Sequence, residues 1–285
     1  MEYYLRGKFI MPESPLIDTK IVAFLDVLGY RNIADKFERG DYVDFYLLRD
    51  AIGEAMGEFH GVFAKLIKFE PDETAQWRKT NIQFRTFSDC ICITAPLESN
   101  EIGFLKHLRN FLKTLAFFQT IMLRFGGYLI RGGVSIGKFY SDSNMIFSKG
   151  LVEAYELESK TAIYPRILIG KSVQDRVSEE LSKTDELLSS FPLFTSFEDD
   201  LVFINFLNVE LVDFPAYEKL NDVQRGLVDD IEIGWREKTI MAPVIEDLVT
   251  KRSQAGLDSR VVEKYDWMLR FIYNEMQRKE RQIGF

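Results

Sequence analysis

Only Ser88-Asp89 separates the run Asn81–Phe87 from the run Cys90–Ala95, and so short a gap between two β-prone segments closes as a hairpin. Strand side chains alternate, so Ile82, Phe84 and Thr86 point one way and Gln83, Arg85 and Phe87 the other. An antiparallel pair is therefore built into whatever sheet the chain forms. Upstream, Lys20–Leu25 is short, apolar and β-branched at its start, which reads as a buried strand, and Gly29 breaks it. Two helices follow. The second, over roughly 42–69, lines up Leu48, Ile52, Ala55, Phe59, Val62 and Leu66 on one face. After the hairpin, a helix over about 101–125 carries Leu105, Leu108, Leu112, Leu115, Phe118 and Met122, and Gly126-Gly127 end it. A strand from Tyr128 to about Tyr140, interrupted by Gly132-Gly133, a helix over about 148–160 and a strand Arg166–Gly170 come next. The predicted order β-α-α-β-β-α-β-α-β is α+β, with helices on one face of a mainly antiparallel sheet.

Past about residue 185 the pattern weakens. Asp200–Leu207 reads as a strand, Pro243 as a helix start, and Val261, Tyr265, Met268, Ile272 and Met276 as one helical face. The expected organisation is a lead-in over 1–19, a main domain over 20–185, and a mainly helical C-terminal region over 186–285 packed on that domain.

Composition excludes several classes. The 285 residues are 46% hydrophobic, too apolar for a disordered chain. A net charge of −8, from 44 acids against 36 bases, argues against nucleic acid as a partner held on a basic surface. No apolar run reaches the ~18 residues of a membrane span, and the first residues carry Glu2, Arg6, Lys8, Glu13 and Asp18, unlike a secretory leader. Two cysteines, Cys90 and Cys92, fit a reducing compartment, so a cytoplasmic location is expected. With only His60 and His107 besides, a zinc site is not expected, and any metal falls to carboxylates, the ligands of Mg²⁺ or Mn²⁺.

Two acids stand out. Asp26 ends an otherwise apolar strand, which is costly unless it is paired or binds a cation. Asp89 sits at the hairpin tip. From spacing alone the plainer account is that Asp26 caps the next helix and Asp89 makes a turn. The alternative is that both converge on two divalent ions about 4 Å apart. A third feature is Arg131-Gly-Gly-Val-Ser-Ile-Gly137, where glycines inside a strand mark a bulge or a close backbone approach. No helix opens after it and Lys138 is not followed by Ser or Thr, so it is neither a dinucleotide fingerprint nor a Walker loop.

Together these segments resemble the class III nucleotide cyclases. Phe24-Leu-Asp26-Val-Leu-Gly29-Tyr30 is similar to their first metal motif and Phe87-Ser88-Asp89 to their second metal hairpin. Arg131–Gly137 resembles their glycine-bearing strand, and Gly150–Glu158 the helix after it, in the same order over about 20–172. The Phe-Ser-Asp and Arg-Gly-Gly-Val-Ser variants, Tyr164-Pro165-Arg166-Ile167 and Lys264-Tyr-Asp-Trp267 are most similar to the bacterial Pycsar pyrimidine cyclases. The resemblance implies a class III cyclase-like, ferredoxin-like sheet. It also implies a homodimer with composite active sites that makes cyclic UMP or cyclic CMP as an antiphage messenger, read by a separate effector protein. It implies two Mn²⁺ or Mg²⁺ ions on Asp26 and Asp89, with the Val27 carbonyl as a further ligand. Phe24, Leu28, Gly29 and Tyr30 would meet the substrate, a pyrimidine ribonucleoside triphosphate, with the Leu28–Tyr30 amides on its phosphates. Arg85 stands where purine cyclases carry a base-reading Lys, and it would act across the dimer interface. A donor-only guanidinium suits uracil O4, which favours UTP over CTP. Val152 and Glu156 stand at the family's Asn and Arg positions, so the transition-state cation is missing or supplied elsewhere. Arg166 and Lys171 are candidates by elimination.

Overall fold

A computed structural model describes residues 4–5, 8–9, 17–56, 82–97, 103–142, 144–183, 193–208, 241–254 and 256–282. The strands are β1 (Tyr4–Leu5), β2 (Lys8–Phe9), β3 (Asp18–Val27), β4 (Gln83–Phe87), β5 (Cys90–Pro96), β6 (Ile130–Ser141), β7 (Ile146–Ser148), β8 (Ile167–Ile169), β9 (Phe194–Thr195) and β10 (Phe203–Ile204). The α-helices are α1 (Tyr30–Glu38), α2 (Val43–Met56), α3 (Phe104–Gly126), α4 (Lys149–Glu156), α5 (Lys171–Leu181), α6 (Ala242–Arg252) and α7 (Ser259–Gln282). A π-helical turn, Leu157–Thr161, continues α4.

Strands β1 and β2 pair with each other. The main sheet has the order β4-β5-β3-β6-β8-β10-β9, with β7 on β6. Its first four strands follow the ferredoxin-like arrangement: the hairpin β4–β5 lies beside the first main strand, β3, and the fourth, β6, closes on the other side of β3. All three of those pairings are antiparallel, while β6 and β8 run parallel through the α4 crossover.

Period-two alternation explains the layers. Ile21, Ala23, Leu25 and Val27 of β3, with Ile91 and Ile93 of β5, enter the main core. On that face α3 buries Leu108, Phe111, Leu112, Leu115, Phe118 and Met122 completely, each contributing roughly 1.5–3 kcal/mol on transfer from water. Of the stripe expected from sequence, Leu105 is only partly buried, and Phe111 joins the rest. The C-terminal helices add Val244, Leu248, Trp267, Met268, Phe271 and Ile272 to the same core. Residue 243 is a helix-start proline as expected. The expected strand over 200–207 is shorter, Phe203–Ile204, and the expected helix over 42–69 runs Val43–Met56, with 57–81 outside the described residues.

The other face carries Val22, Phe24 and Asp26 of β3, opposite Ser135, Gly133 and Arg131 of β6. Helix α4 lies here, in addition to the main helical layer. It can do so because Gly133 and Gly137 leave no side chain beneath it. A Cβ on Gly133 would sit 2.5 Å from the Ala154 carbonyl oxygen, and one on Gly137 2.6 Å from the Gly150 amide nitrogen. The Ser135 hydroxyl donates to the Gly150 carbonyl at 2.5 Å and fixes the contact. The glycine-bearing strand is thus a close backbone approach. A methyl there would force the helix off the sheet, an overpacking cost of about 1–3 kcal/mol.

Candidate active site

In the sheet register Asp26 faces Cys90 on one side and Arg131 on the other, where β3 ends. The Val27 amide donates to the Asp89 carbonyl at 3.1 Å, which holds the hairpin tip against that end. Ser88 takes φ 60°, the left-handed region, and turns the chain from β4 into β5. Ligand atoms of Asp26, Asp89 and Cys90 then all lie within 4.8 Å of one another.

Charge at this point is unbalanced. The Arg131 Nε–H donates to Asp26 Oδ2 at 2.9 Å. Glu158 Oε1, from the π turn, lies 2.8 Å from the same Nε, but that N–H is aimed at Asp26, and the Glu158 oxygen is buried without a hydrogen-bond donor of its own. Burial raises the Asp26 carboxyl above the usual carboxylate range, and the Asp89 charge adds to this, against the pull of Arg131. Glu158 is raised for the same reasons: burial first, then the charges of Asp26 and Asp89, again opposed by Arg131. Three acids crowd one contacting guanidinium, and a further positive charge at this spot is what the site lacks.

A divalent cation fits that deficit. Asp26 and Asp89 offer hard oxygen donors of the kind Mg²⁺ and Mn²⁺ take. Cys90 does not join them. Burial and the neighbouring charges of Asp89 and Asp26 push its thiol up to about 12, and its Sγ donates to Asp89 Oδ1 at 3.7 Å. It remains a thiol, a poor partner for a hard ion.

The other residues named from sequence divide. Phe24 shares the face of Asp26 and is buried, its ring 5.5 Å from Tyr155 and 6.2 Å from Phe87. Val27 lies directly beside Asp89. Leu28 needs a correction. Its amide donates to the Leu129 carbonyl at 2.9 Å, so it is spent within the fold and not free for a phosphate. Gly29 precedes α1 at φ 90°, and Tyr30 opens that helix. Arg85 is exposed and donates to the Asp142 carbonyl at 3.3 Å within its own chain. With Lys20, Gln83 and Phe139 it borders a cavity of about 480 Å³.

Arg166 is placed elsewhere. Its side chain is 2% exposed, forms a two-pronged ion pair with Asp199 at 2.8 and 2.5 Å, and lies over the rings of Tyr164, Phe203 and Trp267. Such a guanidinium is spent inside the fold, so the substrate contact expected of Arg166 is replaced by a structural role. Lys171 follows β8 at the end away from Arg131, is exposed and pairs with Asp175 at 2.8 Å, so the transition-state role offered for it is not kept.

Sequence reasoning names Arg131, Glu158 and Lys264 within motifs but gives none of them a place in the site. Arg131 had a signal, a cation in an apolar strand directly before two glycines. Glu158 sits in a π turn, a rare distortion found disproportionately at functional sites, which the helical pattern of α4 does not reveal. Lys264 reaches the neighbourhood only through the tertiary packing of α7.

No family model matches the chain, and no curated protein matches it. Among solved structures it is similar to a class III adenylyl cyclase-like ATP-binding protein from Pseudomonas aeruginosa. That likeness has a TM-score of 0.34 and 12% identity, and covers 56% of this chain and 34% of the other. The fold described above rests on strand order and register, independently of this likeness. No helix among the described residues is long and apolar enough to cross a membrane.

Proposed function

We propose that the protein is a nucleotide cyclase that converts UTP to 3′,5′-cyclic UMP and pyrophosphate, with CTP the lesser substrate. The observation that carries this reading is the convergence of the Asp26 and Asp89 carboxylates where β3 and the hairpin end, in surroundings short of positive charge. In the reaction the ribose 3′-oxygen attacks the α-phosphorus, a new P–O bond forms, the bond to the β-phosphate oxygen breaks, and the hydroxyl proton passes to water. Mg²⁺ or Mn²⁺, when bound, supplies charge that favours the 3′-alkoxide and neutralises the leaving pyrophosphate. Asp26 and Asp89 hold the ions, and Arg131 steadies Asp26. The Gly29 and Tyr30 amides, at the opening of α1, face the phosphates. The chemistry then needs positioning more than covalent help.

The face of the sheet that carries α4 supports a two-fold homodimer. Near the site Phe87 and Tyr155 are each 49% exposed, with Val152 at 55% further along α4 and Phe147 at 71% on β7, at the far end of β6, an apolar surface a second copy would cover. Arg85 would read the base of the partner's substrate, exchanging its Asp142 contact for uracil O4. The cyclic nucleotide would then serve as an antiphage messenger for a separate effector.

The test is to incubate the pure protein with all four ribonucleoside triphosphates and Mn²⁺ and identify the products by mass spectrometry. Cyclic UMP should dominate, with UTP preferred over CTP by at least ~10-fold, about 1.4 kcal/mol, and Arg85→Ala should narrow that ratio. Preferred use of CTP, or a ratio indifferent to Arg85→Ala, removes the base-reading role. Mixing an Asp26→Asn/Asp89→Asn chain with an Arg85→Ala chain should restore activity in heterodimers. Failure there, with heterodimers formed, would place each site within one chain.

A further inference from the structure

Next to Arg131, and so next to Asp26, a cavity of about 360 Å³ opens between the residues of the π turn and the start of α7. Its walls carry four cations, Arg131, Lys160, Arg260 and Lys264, against two acids, Asp258 and Glu263. Three of the cations already have carboxylate partners. Arg131 contacts Asp26 and Glu158, Lys160 pairs with Glu156 at 2.7 Å, and Arg260 pairs with Asp258 at 3.0 Å. Of the acids, Asp258 is taken by Arg260, and Glu263 accepts from the Tyr164 hydroxyl at 2.9 Å. Lys264 alone has no ion-pair partner among the described residues. It is half-buried, and burial together with the Arg131 charge holds its amine below the usual lysine range.

Asp26, Glu158 and Asp258 act on Lys264 from beyond ion-pair contact, so its half-buried charge is only partly offset, and an anion in direct contact would relieve the remaining cost. The start of α7 does not supply the attraction, because Asp258 already caps it through the Arg260 amide at 2.8 Å. The attraction comes from Lys264, since Arg131 on the same wall is already engaged by Asp26 and Glu158.

We propose that Lys264, carried by the C-terminal helix α7, binds the terminal phosphates of the nucleoside triphosphate in this cavity, so that the C-terminal region completes the active site. The inference rests on the cyclase reading above and deepens it. The α-phosphorus would lie at Asp26 and Asp89, and the chain of phosphates would run past Arg131 to Lys264. A multiply charged phosphate chain suits the spot, since an ammonium group is a point charge that needs no fixed fork geometry. The helical region then contributes directly to binding the substrate, beyond covering the sheet.

The test uses the full chain in EDTA with inorganic tripolyphosphate as probe, read by calorimetry. Wild type should bind it. Lys264→Met, which keeps most of the apolar stem, should bind at least ~10-fold more weakly, and Lys264→Arg should stay near wild type. Lys171→Met, a change at an exposed lysine on another helix, should leave binding unaltered. Should methionine disturb folding, Lys264→Gln takes its place. Wild type without affinity for tripolyphosphate overturns the proposal, and so does a Lys264 variant that binds as wild type does. Equal weakening in the Lys264 and Lys171 variants also overturns it, because it would show a diffuse surface-charge effect. With nucleotide and Mn²⁺, KM should rise in Lys264→Met. Cyclic product formed with unchanged KM sinks this inference and leaves the cyclase reading standing. Tripolyphosphate bound through Lys264 without any cyclic product supports the phosphate site and sinks the cyclase reading instead.

Discussion

Arg166 is fully buried and Arg131 partly buried, and the company each keeps is different. Arg166 meets one carboxylate, Asp199, through both prongs of its fork, and three aromatic rings surround it. Its charge is matched one to one. Arg131 contacts Asp26 and Glu158 together, with Asp89 close to Asp26. Its surroundings carry more acid than it can neutralise. The acids record the contrast: Asp199 is held below its ordinary range, chiefly by its hydrogen bond from Arg166, while Asp26 and Glu158 are driven above theirs by burial. A balanced buried pair is a fastening. An unbalanced one keeps room for a charge that arrives from outside.

Substitutions should break this comparison in opposite ways. At the unbalanced site, Asp26→Asn and Asp89→Asn should each lower turnover by more than ~100-fold, because a direct ligand should matter more than the outer partners whose loss already costs 10–100-fold. The folded state should survive both changes. Mass-spectrometric product assays beside thermal unfolding would check this, and wild-type-like turnover in either variant would sink the site. At the balanced site, Arg166→Ala should cost about 2–3 kcal/mol of stability in denaturant unfolding. That is below the ~3–5 kcal/mol of a fully buried pair, because Asp199 keeps contact with water. A variant as stable as wild type would show that Arg166 fastens nothing.

The subtlest difference lies in pH dependence, measured without metal. Asp26 has a raised folded pKa, so from 3.8 up to that value the folded state keeps a proton the unfolded chain has lost, and stability falls as pH rises. Asp199 has a lowered one, so its stabilisation is present above 3.8 and is lost as pH falls toward the folded value. Relative to wild type, Asp26→Asn should therefore gain stability as pH rises from about 3 to about 7, and Asp199→Asn should lose it. Denaturant titrations in EDTA would show the two slopes, and equal signs would erase the distinction between the regions.

Much of the fold could be read from sequence because it is local. The α3 stripe, the Ser88-Asp89 hairpin and the strand ending at Asp26 each follow from period or turn length. The pairing of Asp26 with Asp89 is one of two readings that spacing leaves open, and the family resemblance, not the pattern, favours it. The fate of cations was not legible. Arg85, Arg131 and Arg166 look alike along the chain, and only sheet register and the packing of α7 decide which faces Asp26 and which enters an aromatic box. The Leu28 amide shows the same limit, because its partner, Leu129, lies far off in sequence.

Mn²⁺ binding in the absence of nucleotide tests the central claim most directly, through paramagnetic resonance of the free ion during titration. Wild-type protein and Arg166→Ala should both take up Mn²⁺, while the Asp26→Asn/Asp89→Asn chain should leave it free in solution. Uptake by the double variant equal to that of wild type would contradict the account.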